Sequence, residues 1–187
     1  MTEPRIKIEH LDPTDTEQNN SRKSKPILGV SSCLLGYKVR YDGDHQYQPI
    51  IKKYLATHFD LIPFCPEVEI GLGVPRPKIQ LIKQNGKTSC VDQATETIDY
   101  TEQLSQCFYS QITWLKKISG YIFKSKSPSC VITQVKTKYI EANHVNKIIA
   151  NGQGIFAQTL KTQYPNLPTI EEDQLSITNL RESFINS

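Results

Sequence analysis

Apolar residues along this chain fall into short continuous runs separated by segments with helical spacing. Ile27-Leu28-Gly29-Val30 reads as a strand buried on both faces, the pattern of a parallel sheet. Pro49 suits the first turn of a helix, and Ile50, Ile51, Tyr54 and Leu55 follow at helical intervals. Leu61-Ile62-Pro63-Phe64 is a second strand whose proline, lacking a donor, argues against a central position. The glycine- and proline-rich stretch from Gly71 to Pro77 fits neither element. Ile79 to Ile82 and Thr88 to Val91 flank Asn85-Gly86, a strong hairpin signal. From Tyr100 to Ile118 the residues Leu104, Cys107, Phe108, Ile112, Leu115 and Ile118 share one helical face, and Gly120 is expected to end that helix. Tyr121-Ile122-Phe123 opens a third strand. A helix from Gly154 to Tyr164 is stopped by Pro165, Thr169-Ile170 is a short strand, and a last helix covers Asp173 to Phe184 with Asp173 as its cap. This alternation predicts an α/β fold: one three-layer, Rossmann-like domain with a mainly parallel sheet and the hairpin as an insertion.

Residues 1–25 are polar, balanced in charge and without hydrophobic period, and are expected to form a disordered or loosely packed tail before a domain over residues 26–187. A chain of 187 residues is long enough to bury one sizeable core. No run approaches the ~20 apolar residues of a membrane span, and the first residues lack a secretory apolar segment. The expected location is therefore cytoplasmic, with no membrane partner. There thiols stay reduced, and five cysteines, an odd number, do not suit a disulfide framework. The net charge of +3 permits an anionic ligand without requiring nucleic acid.

Three of the cysteines share one setting. Val30-Ser31-Ser32-Cys33, Phe64-Cys65-Pro66 and Ser127-Pro128-Ser129-Cys130 each follow an apolar run and enter a loop rich in serine or proline. In an α/β sheet such loops gather at the carboxyl edge, where ligands bind. Cys107 lies on the apolar stripe of the long helix and Cys90 on a hairpin strand, so both read as core residues. Thiolates select soft metals, and the absence of a Cys-x-x-Cys pair disfavours a zinc finger or ribbon. Three protein ligands leave a position open for chemistry. That count fits a 4Fe-4S cluster with one free iron or a catalytic zinc, and coincidental packing stands beside both.

Larger motifs narrow the choice. Gly29-Val30-Ser31-Ser32-Cys33-Leu34-Leu35-Gly36 with Val39-Arg40-Tyr41-Asp42-Gly43, then Cys65-Pro66-Glu67 through Arg76-Pro77, then Phe123-Lys124-Ser125-Lys126-Ser127-Pro128-Ser129-Cys130, resemble in order three motifs of the thiouracil desulfidase family. Gly152-Gln153-Gly154-Ile155-Phe156-Ala157 is similar to a weaker fourth. The resemblance implies a 4Fe-4S cluster on Cys33, Cys65 and Cys130. It also implies removal of sulfur from a thiolated pyrimidine, either free thiouracil or 4-thiouridine in thiolated tRNA. In the tRNA-acting branch a second domain follows, and none is visible in this sequence, so both substrates stay open. Asp44 and Val131 stand where glycine is common in the family. Valine would be strained there if that position needed positive φ.

Exchange of sulfur for oxygen requires proton transfer. Glu67, two residues after Cys65, is the nearest carboxylate by sequence and is favoured as acid/base, the alternative being a helix first-turn glutamate. Ser127, ahead of Ser129, is the first choice among hydroxyls to orient water or substrate, although Ser-Pro is also a turn signal. Asp42 and Arg40 are candidate substrate contacts, with Asp-Gly first of all a turn. Arg76 and Lys124 are candidates to offset charge. The four histidines share no metal spacing. Two non-enzymatic alternatives remain: an iron–sulfur redox sensor or carrier, which ordinarily fills all four ligand positions with protein groups, and an RNA-binding module with a structural cluster.

Overall fold

The computed structural model describes residues 24–133, 135–140 and 147–187. In chain order the elements are β1 (Ile27–Ser31), a short 3-10 turn, α1 (Pro49–Tyr54), β2 (Asp60–Phe64), α2 (Pro66–Glu69), β3 (Ile79–Gln84), β4 (Lys87–Asp92), α3 (Thr101–Ser110), α4 (Ile112–Leu115), β5 (Ile118–Phe123), β6 (Val135–Ile140), β7 (Lys147–Gly152), α5 (Ile155–Gln163), β8 (Thr169–Glu171), a second 3-10 turn and α6 (Thr178–Ile185). Most of the expected tail, residues 1–23, lies outside the described residues. Lys25 is tied down, its Nζ donating to the Ala56 carbonyl at 2.8 Å.

The apolar runs assemble into one sheet of order β2-β1-β5-β8, parallel throughout. Alternation along β5 divides the core between its two faces. Ile122 joins Leu28, Val30, Ile51, Leu55 and Phe184 on one side, under α1 and α6. Tyr121 and Phe123 join Phe108, Phe156 and Leu160 on the other, under α3 and α5. Helices on both faces give the three expected layers, and β2 is an edge strand, which removes the objection raised by Pro63. Gly29 is needed because a side chain there would collide with the Tyr121 ring lying across β1.

The hairpin forms as expected, closed by Gln84 opposite Lys87, with Asn85 at φ 51 and Gly86 at φ 79 in the turn. It is more than an insertion. β3 pairs in parallel with β6, which pairs with β7, so a second, mixed sheet of order β4-β3-β6-β7 stands beside the first. β6 and β7 are not among the elements expected from the sequence. Residues Val135 to Ile140 alternate at period two, but the inward position at Thr137 is a hydroxyl, which weakens the apolar signal.

Two helix expectations need correction. The long helix ends at Ser110, Gln111 interrupts it, and Ile118 already belongs to β5. Gln111 is drawn out of the helix by its side chain, which donates to Glu69 Oε1 at 2.7 Å and accepts the Trp114 indole N–H at 2.8 Å. Gly120 lies within β5, where a Cβ would press on Leu28 and Phe184. At the C-terminus, Asp173 makes no capping hydrogen bond. Residues Gln174–Ser176 form a 3-10 turn, and α6 starts only after Ile177.

Candidate active site

The three cysteines come from the carboxyl ends of the adjacent strands β2, β1 and β5. Cys33 sits in the 3-10 turn after β1, a turn ended by Gly36 at φ 96. Cys65 follows β2 directly, and its carbonyl accepts the Glu69 N–H at 3.0 Å as α2 begins. Cys130 lies in the loop after β5, where its N–H and that of Val131 both bond to the Ser127 carbonyl. All three line one cavity of about 790 Å³ between this strand edge and the second sheet, whose Ile79, Gln80, Val135 and Lys138 form the opposite wall. Cys90 and Cys107 are buried in the core and do not line it. Cys107 Sγ lies against the Pro66 carbonyl at 4.0 Å.

Among the described residues no three histidine, cysteine, aspartate or glutamate side chains are close enough together to hold a single ion. Cys33, Cys65 and Cys130 are all free thiols on the cavity wall, the donor type that soft metals select. Burial pushes the Cys33 thiol up to about 12, the Cys65 charge adds to this, and Lys124 and Arg40 oppose it. Cys65 and Cys130 are also raised, first by burial. Buried thiols of this kind ionise when a metal cation supplies the compensating charge, releasing their protons. The donor set therefore fits a thiolate-bound metal group.

Beside the thiols lies a clamped carboxylate. Pro66 opens α2 and places Glu67 in its first turn. The glycine- and proline-rich excursion returns Arg76 against it. Arg76 Nε and Nη2 both donate to Glu67 Oε2, at 3.0 and 2.7 Å, while Nη1 donates to the carbonyls of Val39 and Gly73 at 2.9 Å each. With side chains only 4% and 12% exposed, this is a buried ion pair. Glu67 Oε1 accepts the Ser129 hydroxyl at 2.7 Å. Ser129 is fully buried, 3.0 Å from Ser127 Oγ and 3.4 Å from Cys130 Sγ. A continuous polar line thus runs from Arg76 through Glu67 to Ser129 and the third cysteine. Ser129, rather than Ser127, is the hydroxyl in contact with Glu67.

Other expected residues are placed less centrally. Arg40 lines the cavity, whereas Asp42 does not. Asp42 holds Arg40 at 3.0 Å and accepts the Asp44 N–H, so it shapes the Arg40 turn. The Gly152-Gln153-Gly154 segment resembles an anion-binding turn only in sequence. The N–H groups of Gly154 and Ile155 are spent on the carbonyls of Val131 and Pro128. Val131 is fully buried and has no left-handed backbone, so valine fits its position without strain.

Two buried acids were not singled out from the sequence. Glu171, at the end of β8, accepts the N–H groups of Ile132 and Thr133 at 2.7 and 2.8 Å and fixes the loop after Cys130. Glu172 lines the cavity, paired with Lys124 and accepting Ser125 Oγ at 2.9 Å. The signal that marks the cysteines, a polar residue just past an apolar run, applies equally to Glu171-Glu172 after Thr169-Ile170.

Parallel strands that deliver three thiols and a clamped carboxylate to one cavity define a candidate thiolate-metal centre with acid/base groups at hand. The profile of the 2-thiouracil desulfurase family matches residues 28–172, and the chain belongs to that family. A solved structure, the 4Fe-4S-dependent thiouracil desulfidase TudS, superimposes with a TM-score of 0.63 at 26% identity, covering 85% of this chain and 99% of its own. The uncharacterized protein YbbK of Bacillus subtilis (strain 168) is 33% identical over 112 residues, 56% of this chain and 72% of the relative. Among the described residues no helix is long and apolar enough to cross a membrane.

Proposed function

We propose that this chain holds a 4Fe-4S cluster on Cys33, Cys65 and Cys130 and converts a thiolated pyrimidine, thiouracil or 4-thiouridine, to the oxo base. The observation that carries this reading is the convergence of those three thiols with Glu67 and Ser129 on one cavity. Family membership and the likeness to TudS support it. When bound, the cluster would supply through its iron without a cysteine ligand a soft Lewis acid for the thiocarbonyl sulfur.

The protein supplies the proton handling. Arg76 places two donors on Glu67 Oε2, leaving Oε1 directed at Ser129. Glu67 takes a proton from water, directly or through Ser129, as the water oxygen bonds to the ring carbon. The carbon–sulfur bond then breaks, its electron pair leaves with sulfur, which takes the proton from Glu67, and the hydroxyl left on the ring carbon gives up its proton to solvent as the carbonyl forms. Water enters, sulfide departs and no electrons are gained or lost. The cavity, about 790 Å³, is within the usual range for small-molecule sites.

Anaerobic reconstitution, followed by iron and sulfide counting and by turnover of thiouracil and of 4-thiouridine on the same sample, tests the proposal. Four irons per chain with sulfide release from either substrate supports it. A loaded protein that releases no sulfide from either returns the reading to a cluster carrier or structural cluster, and a protein that takes up no iron overturns it.

A further inference from the structure

Two neighbouring acids where β8 ends are buried, Glu171 at 2% exposure and Glu172 at 6%. The sheet does not need their side chains. Glu171 stands in register with Phe123, and the Glu172 N–H bonds to the Phe123 carbonyl at 3.1 Å, so backbone alone makes the ladder. Burying a carboxylate is costly without compensating bonds, and apolar residues would serve a short edge strand as well. Both acids direct every side-chain hydrogen bond they make among the described residues to one loop. It is the segment between β5 and β6 that carries Ser127, Ser129 and Cys130. Glu171 Oε1 accepts the N–H groups of Ile132 and Thr133 at 2.7 and 2.8 Å, and Oε2 accepts the Thr133 hydroxyl at 2.8 Å. Glu172 Oε2 accepts the Ser125 N–H, while Oε1 accepts the Ser125 hydroxyl at 2.9 Å and Lys124 Nζ. Successive strand residues point to opposite sides. One adjacent pair therefore reaches both ends of the loop.

We propose that Glu171 and Glu172 are positioning residues, which hold the two ends of this loop so that Cys130 and Ser129 meet their partners without rearrangement. Ligands and catalytic groups keep their geometry through such supporting bonds. The middle of the loop is held separately, by the N–H groups of Ile155 and Ala157 on the Pro128 and Ser129 carbonyls at 3.2 Å each. The two acids act differently. Glu171 gathers three neutral donors and works by shape, whereas Glu172 also balances the charge of Lys124. The part of the proposal that concerns Cys130 as a ligand rests on the cluster reading above.

The test uses the whole chain with Glu171→Leu, Glu171→Gln, Glu172→Leu and Glu172→Gln, and Cys107→Ala as a core-destabilised control. Amide hydrogen exchange over residues 125–133 is read in iron-free protein, and iron loss to a chelator after anaerobic reconstitution. Each leucine variant should exchange its loop amides about 10-fold faster than the control. Each should also release iron roughly 10–100-fold faster. Glu171→Gln should recover most of the loss, because a carboxamide oxygen still accepts the Ile132 and Thr133 N–H groups. Glu172→Gln should recover less, because Lys124 loses its counter-charge. Loop exchange and iron release equal to those of the control overturn the assignment. Should the leucine variants fail to fold, Thr133→Val and Ser125→Ala each remove one bond from the loop side, and wild-type loop exchange in both overturns it equally. If wild type takes up no iron, the cluster reading falls, and exchange in the iron-free chain still decides whether these acids hold the loop.

Discussion

Gly154→Ala is a sensitive test of how the third cysteine is held. Gly154 has φ −63 and ψ 139, angles open to any residue, so backbone conformation does not require glycine there. Space does. A Cβ at this position would lie 2.5 Å from Cys130 N and Ser129 C and 2.6 Å from Ser129 O. These are backbone atoms of the loop that carries the thiol and the Glu67-bonded hydroxyl, and they cannot rotate away. Ordinary contact requires the start of α5 and the loop to part by about an ångström. Overpacking of this kind costs roughly 1–3 kcal/mol, offset by ~0.4–1 kcal/mol from the stiffer unfolded chain. The net expectation is a loss of about 1–2 kcal/mol, or roughly 2–8 °C in melting temperature for a domain of this size. Metal ligation tolerates errors of ~0.2 Å, so iron per chain after anaerobic reconstitution should fall more sharply than stability. Gly86→Ala is the contrast. It meets nothing within 4 Å but sits at φ 79, so it should cost stability and leave iron binding intact. A Gly154→Ala protein with wild-type melting and full iron would refute the reasoning.

Cys33→Ala, Cys65→Ala and Cys130→Ala should each abolish stable iron binding, while Cys107→Ala should keep it and lose about 1–2 kcal/mol through a small core cavity; iron analysis and melting curves read both. Glu67→Gln should lower turnover by about 10²–10⁴-fold at equal cluster content. Ser129→Ala should cost more activity than Ser127→Ala, because Ser129 is the hydroxyl 2.7 Å from Glu67; equal losses in steady-state assays would argue against that order. Arg76→Met removes the ion-pair partner of the largely buried Glu67 and should cost about 3–5 kcal/mol in denaturant unfolding. The N–H groups of Ile98, Thr95 and Thr97 and the Thr95 hydroxyl hold Asp92 at about 2, below its ordinary 3.8. Its contribution is therefore complete above about pH 4 and lost as the pH falls through about 2. The melting-temperature gap between wild type and Asp92→Asn should narrow over that window, and a constant gap would be inconsistent with it.

Local order in the sequence was enough for much of this molecule. Continuous apolar runs and turn residues are local signals, so Ile27 to Val30, Leu61 to Phe64 and the Asn85-Gly86 turn could be read directly, and the turn adopts the expected left-handed angles. The placement of Cys33, Cys65 and Cys130 just past apolar runs was legible for the same reason, and the parallel order β2-β1-β5 brings them to one edge. Where the long helix stops was not legible, because Gln111 is engaged by Glu69, 42 positions away. Neither was the second sheet, since β6 is stabilised by β3, which lies more than fifty residues earlier in the chain. The partners of the candidate catalytic groups are likewise long-range: Ser129 reaches Glu67 across 62 positions, and Gly154 abuts Cys130 through packing of α5. The sequence by itself determined which residue types stand at strand ends, because pattern and turn chemistry are local. Only the tertiary structure decided that Ser129 touches the carboxylate, that Arg76 clamps it and that Asp42 stands outside the cavity, because those contacts exist only once distant segments pack together.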